Sequence, residues 1–392
     1  MTATTLASNH MASEAPENQG VATIKPPRKQ VVLVGVARGL AALAIVPYHV
    51  LVTVHGTNIW MGPYEIGVGA LPIFFVLTGF VLTYVHGGEI QSAWNRQTRP
   101  EQFSVLRRFF IKRFMRLYPT YWMVSAAVLA AALFLPGAMG SEKFQLAHIV
   151  QSFAAWPVSD TLPILPQGWT LPHDIKFYLL FGALYIVPRR YMTVAGIVLI
   201  AGVLVNGGYR MQAQVAGTPT GPYLVDFVFH PFLLQFIWGV LIARALQTTA
   251  QWPHATSLLL GGIAAYGLVY VADIARLMPH YDVRMHAYGI GAGLLLFGLA
   301  TYDVEKQPSV PSGLVALGDA SYSVYITHIP VIVLTTRILR GVAGPTVPLA
   351  TAPWVLVQVG VCLIVGFSFY YIVEAPLHRY MSKRLLPRAA TP

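Results

Sequence analysis

Arg38 and His49 stand eleven residues apart inside one apolar run. Eleven steps of about 100° return to within about 20° of the starting direction, so on a helix the two side chains share a face, roughly 16 Å apart along the axis. An ionisable group in a membrane helix is costly unless it faces the bundle interior or a water-filled cavity. Two readings follow. Either the arginine snorkels and the histidine is a hydrogen-bonded structural group, or the pair marks a cleft across the membrane. In such a cleft a cation holds an anionic donor, and an imidazole, with a reference pKa of about 6.5, handles a proton at the far end.

Further polar groups lie in apolar surroundings. His173, Asp174 and Lys176 follow Gly168-Trp-Thr-Leu171, and Ser321, Tyr322, Ser323, Tyr325 and His328 share one apolar stretch. Tyr325 and His328 are three apart and therefore near one helical face. Glu374 closes the last apolar run. A proton path through a membrane uses the same residue types, so transport stands beside catalysis at this point.

Residues 101–118 carry a different pattern. Phe103, Leu106, Phe109, Phe110, Phe114 and Leu117 recur mostly at spacings of three or four, interleaved with Arg107, Arg108, Lys112, Arg113 and Arg116. That reads as an amphipathic basic helix on a membrane face. It suits contact with anionic lipid, and equally the forked binding of phosphates on a nucleotide-bearing donor. No Walker motif or Rossmann fingerprint accompanies it.

The elements that must position these groups are membrane helices. Of the 392 residues, 55% are hydrophobic and 10% charged, against about 25% charged in soluble domains. Mean hydropathy is +0.58. The alternation of an outer-membrane barrel is missing, and the apolar runs suit helices crossing roughly 30 Å of hydrocarbon. Ten spans are expected, at 32–53, 66–86, 118–136, 172–188, 192–206, 223–243, 256–273, 286–302, 321–340 and 352–373, with 144–156 along the interface. The fourth is the weakest because it opens on His173, Asp174 and Lys176. The fold class is thus an all-α polytopic membrane bundle of about ten transmembrane helices plus an amphipathic cytoplasmic helix.

Charge sets an orientation. Lys25, Arg28 and Lys29 precede the first span, and Arg96, Arg99, Arg107, Arg108, Lys112, Arg113 and Arg116 fall between the second and third. Arg189 and Arg190, Arg244, and Lys383, Arg384 and Arg388 follow spans four, six and ten. With ten spans these stretches lie on one side, which places both termini in the cytoplasm. The same clustering reads the net charge of +11 as topology and lipid contact rather than nucleic-acid binding. The lone Cys362 excludes an internal disulfide and CxxC metal patterns. Residues 1–30 read as a disordered tail, 31–376 as one membrane domain whose first helix is retained, and 377–392 as a basic tail.

At these residues the chain resembles the membrane acyltransferase-3 family, bacterial integral-membrane O-acyltransferases. The run Arg38-Gly-Leu-Ala-Ala-Leu-Ala-Ile-Val-Pro-Tyr-His49 looks like the family's Arg, ten residues, His signature. Ile73-Phe-Phe-Val-Leu-Thr-Gly-Phe80 is similar to its second-helix motif, and Lys112-Arg-Phe-Met-Arg-Leu-Tyr-Pro119 with Tyr121-Trp122 to its Arg-x-x-Arg segment. Gly168-Trp-Thr-Leu171, Leu317-Gly-Asp-Ala-Ser-Tyr-Ser-Val-Tyr-Ile-Thr-His328 and Glu374-Ala-Pro376 complete the order. Departures mark a divergent subgroup. Gly35 and Pro72 stand where the family commonly has Asp, Asp174 where it has Glu, and Thr78 where it has Ser.

The resemblance implies transfer of an acyl group, most often acetyl, from cytoplasmic acetyl-CoA or another acyl-CoA to a sugar hydroxyl, with no metal, in a bacterial inner membrane. It implies that Arg38, Lys112, Arg113 and Arg116 hold the donor phosphates and that His49 is the general base. Asp174 then orients the imidazole or places the acceptor, and Tyr325 or His328 stabilises the oxyanion or lines the acceptor channel. The implied partners are membrane lipids and a carbohydrate or lipid-linked glycan. Polysaccharide assembly proteins or a second copy of the chain are further partner candidates. Exopolysaccharide is the favoured acceptor, ahead of lipopolysaccharide, periplasmic glucan or a secondary metabolite. The competing functions are a transporter or flippase of a lipid-linked or acylated sugar, and a non-catalytic subunit of a polysaccharide assembly complex.

Overall fold

The computed structural model describes residues 31–56, 62–95, 99–134, 140–157, 161–219, 221–249, 251–278, 280–344 and 351–386. The tail expected over 1–30, with Lys25, Arg28 and Lys29, and also Arg96 and Arg388, lies outside them. Among the described residues the regular structure is helical, with no strand. In chain order the helices are α1 (Val32–His55), α2 (Ile66–Asn95), α3 (Arg99–Phe134), α4 (Leu146–Ala154), α5 (Leu171–Ala183), α6 (Met192–Ala216) and α7 (Tyr223–Val228). They continue as α8 (Phe232–Thr248), α9 (Ala255–Ile274), α10 (Tyr281–Lys306), α11 (Ser312–Ala343), α12 (Ala352–Phe369) and α13 (Ala375–Leu385).

Among the described residues, nine helical segments are long and apolar enough to cross a membrane. The fourth of the ten expected spans, 172–188, is not among them: it folds as α5, whose 13 residues fall short of the roughly 20 that a full crossing takes. Its first turn carries His173, Asp174 and Lys176, and His173, Lys176, Phe177 and Phe181 are buried. Other helices surround α5, so it need not match the lipid thickness. A tight turn over Pro166–Thr170 leads into it.

Two expected segments take a more continuous form. The amphipathic stretch 101–118 is the first half of α3, a single 36-residue helix that runs on through Pro119. The basic face is thus rigidly joined to a span, and Arg113 and Arg116 can reach inward. Residues 375–385, which take in the first part of the tail expected over 377–392, form α13. The segment near 144–156 forms α4, with His148 and Ser152 buried and Leu146 and Val150 outward.

Small residues let the central helices touch. A Cβ added at Gly239 of α8 would lie 1.9 Å from the Val76 carbonyl of α2, and one at Gly79 would lie 2.0 Å from the Phe236 carbonyl. Between α1 and α11, a Cβ at Gly39 would meet the Gly318 nitrogen at 2.7 Å, and one at Gly318 the Gly35 carbonyl at 2.6 Å. Apolar helices gain no hydrophobic drive from associating in lipid, so close backbone packing carries the contact. Gly239→Ala is expected to push α2 and α8 apart at a cost of about 1–3 kcal/mol, read as a lower unfolding midpoint of the detergent-solubilised protein. Gly35 has open space on its Cβ side, so Gly35→Ala is the control that leaves the midpoint unchanged or raised. Equal midpoints for the two variants would contradict the packing argument.

The two ends of the bundle are tied differently. At the near end, where α1 starts, Asp303 at the end of α10 accepts from the Leu33 amide at 2.6 Å and the Val34 amide at 3.4 Å. It satisfies amides that the first helical turn leaves without partners. At the far end Arg284 pairs with Glu65 and Asp273, and Arg210 joins Asp226 of α7 to Asp282 of α10. Buried charges persist only when paired in this way.

Candidate active site

The packing of α1 against α11 places Arg38. Its Nη2 donates to the Gly318 carbonyl at 2.7 Å, while its Nε is buried with no partner among the described residues. The guanidinium borders a cavity of about 150 Å³ that Arg113, Arg116, Thr78, Asp174 and Tyr325 also line. Sequence reasoning drew its candidates among these side chains from four separate segments, and the fold brings five of the eight candidates to one space. Lys112, His49 and His328 are not among its lining residues.

Each cation of the cavity is held by a different device. Arg113 Nη2 lies 2.8 Å from His86 Nε2, and His86 Nδ1 lies 2.7 Å from Glu89 Oε2. A guanidinium only donates, so Nε2 is the acceptor and a neutral His86 carries its proton on Nδ1, facing the carboxylate. Lys112 sits beside this group, 3.7 Å from Glu89 and partly exposed. Its place is behind Arg113. Arg116 Nη1 donates to Glu374 Oε1 at 2.5 Å, and Ser323 Oγ donates to Glu374 Oε2, also at 2.5 Å. Glu374 ends a π-turn over Tyr370–Glu374 between α12 and α13. The extra residue in that wider turn re-aims the side chain, a device found often at functional sites.

Asp174 is covered by α2, with the Thr78 hydroxyl 3.3 Å from its Oδ1. Tyr325 donates its phenol proton to the Gln167 carbonyl at 3.0 Å and lies 2.9 Å from Thr170 Oγ1. The ring therefore seals the cavity against the Pro166–Thr170 turn. Of the two oxyanion candidates, Tyr325 must release Gln167 before it can donate elsewhere.

Behind Tyr325 lie the histidines. His328 Nδ1 is 2.5 Å from the Tyr325 carbonyl, and His328 Nε2 is 3.0 Å from His49 Nδ1. A carbonyl only accepts, so His328 carries its proton on Nδ1. In the neutral ring Nε2 is then an acceptor, which assigns the His49 proton to Nδ1 and leaves the His49 Nε2 lone pair unprotonated. The ring hydrogen-bonded to His49 is His328, whereas the Asp174 side chain lies against the Thr78 hydroxyl of α2. His328 Nε2 has its lone pair in that bond, so His328 has no proton there to offer an oxyanion.

His86, Glu89 and Gln167 escaped the sequence reading, and Thr78 and Thr170 entered it only as members of motifs. Polar residues on apolar helices were the available signal, but their partners are up to 159 positions away. Among the described residues, no group of three or more His, Cys, Asp or Glu side chains is arranged to hold a metal ion.

A family model described as an acyltransferase domain matches residues 34–373, and the chain belongs to that family of acyltransferases. It is similar to the exopolysaccharide production protein ExoZ of Rhizobium meliloti (strain 1021), at 25% identity over 81% of this chain and 91% of the relative. It is also similar to the acyltransferase MdmB of Streptomyces mycarofaciens, at 26% identity over 80% of this chain and 82% of the relative. The peptidoglycan O-acetyltransferase OatA of Listeria monocytogenes is 23% identical over 91% of this chain, which spans 57% of that longer protein. No solved structure matches the chain.

Proposed function

We propose that this protein moves an acyl group, most simply acetyl, from acyl-CoA to a hydroxyl of a surface or exported carbohydrate, with exopolysaccharide the favoured acceptor. One observation carries the reading: three arginines line a cavity whose inner wall, Tyr325, is backed by the hydrogen-bonded pair His328–His49. Support also comes from two relatives, one an exopolysaccharide production protein and one a peptidoglycan O-acetyltransferase.

The donor would enter from the near end with its phosphates at Arg38, Arg113 and Arg116, which match phosphate oxygens by forked hydrogen bonds. A cavity of about 150 Å³ suits the thin acyl-pantetheine end and leaves the nucleotide at the mouth. His49 Nε2 takes the proton from the acceptor hydroxyl as its oxygen attacks the thioester carbonyl. The C–O bond forms, the C–S bond breaks, and the proton passes from His49 to the departing thiolate, giving the acyl ester and free thiol. Asp174 and Tyr325 lie where they can place the reacting groups. The basic stretches favour a near end in the cytoplasm of a bacterial inner membrane, with both termini on that side.

Mass spectrometry of surface glycans from cells with and without the gene tests the proposal. The expected result is an acyl ester on a sugar hydroxyl that disappears with the gene. An unchanged glycan acylation pattern, with a lipid-linked sugar stranded on one membrane face, would instead establish transport.

A further inference from the structure

A second cavity, of about 430 Å³, opens at the far end of the bundle, within the roughly 300–1,000 Å³ typical of small-molecule sites. It shares no lining residue with the arginine cavity, yet one turn of chain separates the two. Thr170, Leu171 and Asp174 face the first; Gly168, Trp169, Pro172 and His173 face the second. This partition is clamped on both sides. Gln167 Nε2 donates to the Ile326 carbonyl at 2.6 Å, and the Tyr121 ring lies so close to Gly168 that a Cβ there would be 3.0 Å from it.

The second cavity is polar without offering a free charge. Its one lining cation among the described residues, Arg210, is held by both Asp226 and Asp282, whose two charges outweigh its one and disfavour a phosphate or carboxylate there. Two imidazoles, His173 and His230, stand with ring centres 5.2 Å apart. Lys176 Nζ lies 3.2 Å from His173 Nδ1 while donating to the Phe227 carbonyl at 2.6 Å. The Phe232 amide donates to His230 Nδ1 at 3.4 Å. With Nδ1 accepting, each neutral ring bears its proton on Nε2, and neither Nε2 has a partner among the described residues. His173 is a buried residue on the cavity wall, and its Nε2–H, with no protein acceptor among the described residues, is open to water or to a ligand oxygen. Trp156 and Trp169 border the same space and stay partly exposed. Flat aromatic faces beside polar hydrogen-bonding groups fit a ligand that is apolar on one side and wet on the other.

We propose that this cavity binds a neutral sugar unit, with the Nε2–H groups of His173 and His230 donating to its oxygens and the indole rings covering its C–H faces. A sugar seated there presents a hydroxyl to the Pro166–Thr170 turn from the side opposite the donor cavity. Calling that sugar the acyl acceptor rests on the acyl-transfer reading; its binding does not.

The test uses the purified full chain in lipid nanodiscs. The probe is a set of neutral oligosaccharides from partial hydrolysis of the deacylated exopolysaccharide of a strain lacking the gene. Calorimetry is expected to show binding that Trp156→Ala and His230→Ala each weaken by about tenfold or more, while acetyl-CoA affinity stays the same. Unchanged oligosaccharide affinity in both variants, or a preference for phosphorylated over neutral sugars, would overturn the site. If the oligosaccharides bind as stated but the wild type transfers no acyl group to them, the site stands and the acyl-transfer reading fails. Acyl transfer whose acceptor KM is the same in both variants sinks the site and leaves that reading intact.

Discussion

His49→Ala is expected to lower kcat for acyl transfer by about 10²–10⁴-fold, the usual contribution of a positioned general base. Acyl-CoA binding should be unchanged, because His49 does not line the cavity in which the arginines gather. The hydrogen-bond order explains why this histidine carries the effect. His328 is committed at both nitrogens, to the Tyr325 carbonyl and to His49, which faces it through Nδ1. The paired ring fixes the tautomer in which Nε2 is basic, the same logic by which a third group orients the base in a catalytic triad. His328→Ala removes the orienting partner and not the base, so its loss should be smaller. Wild-type kcat in purified His49→Ala protein, measured by release of free CoA with acceptor present, would remove the assignment. A variant that fails to insert is recognised by lost acetyl-CoA binding and says nothing against it.

The second large effect is on the donor. Arg38→Ala should raise the Kd for acyl-CoA by about 10–100-fold, the loss expected for hydrogen bonds to a charged group of roughly 1.5–3 kcal/mol. Arg38 uses one N–H on the Gly318 carbonyl and keeps a buried Nε unpartnered beside the cavity. A buried donor left without an acceptor is costly, and an anionic ligand in the cavity would relieve that cost. Arg38→Lys keeps the charge but loses the planar fork, so it should fall between wild type and alanine. Equal donor affinity in all three proteins, by calorimetry with acetyl-CoA, would show that Arg38 is structural. The acceptor KM should not move, which separates this effect from a general disturbance of the α1–α11 contact.

Gly35 shows how a sequence departure is judged in space. It stands where the family commonly has Asp, and its Cβ direction is open. Packing does not demand glycine there. Its backbone, by contrast, is in use, because the Gly35 carbonyl is what Gly318 approaches. Thr78 retains a hydroxyl in place of Ser, shared between the Phe74 carbonyl at 3.0 Å and Asp174 Oδ1 at 3.3 Å. The shorter acid at 174 therefore still meets a polar neighbour from α2.

The membrane class and nearly all the spans were legible in the chain because lipid imposes a local rule. A segment must be long and apolar to cross, and nothing distant can relax that requirement. The exception is instructive. α5 is short and polar at its start, and it survives because other helices, not lipid, surround it. The shared face of Arg38 and His49 was also readable, since helical periodicity is local; both meet α11, at Gly318 and at His328. What the local rules could not reach was pairing. His328 as the partner of His49, Glu374 as the holder of Arg116, His86 behind Arg113, and the single turn dividing two cavities all depend on contacts between segments far apart in the chain. Helix packing chose among many polar residues by bringing a few within 3 Å of one another, and hydrogen-bond donors and acceptors at that range then assigned the protons.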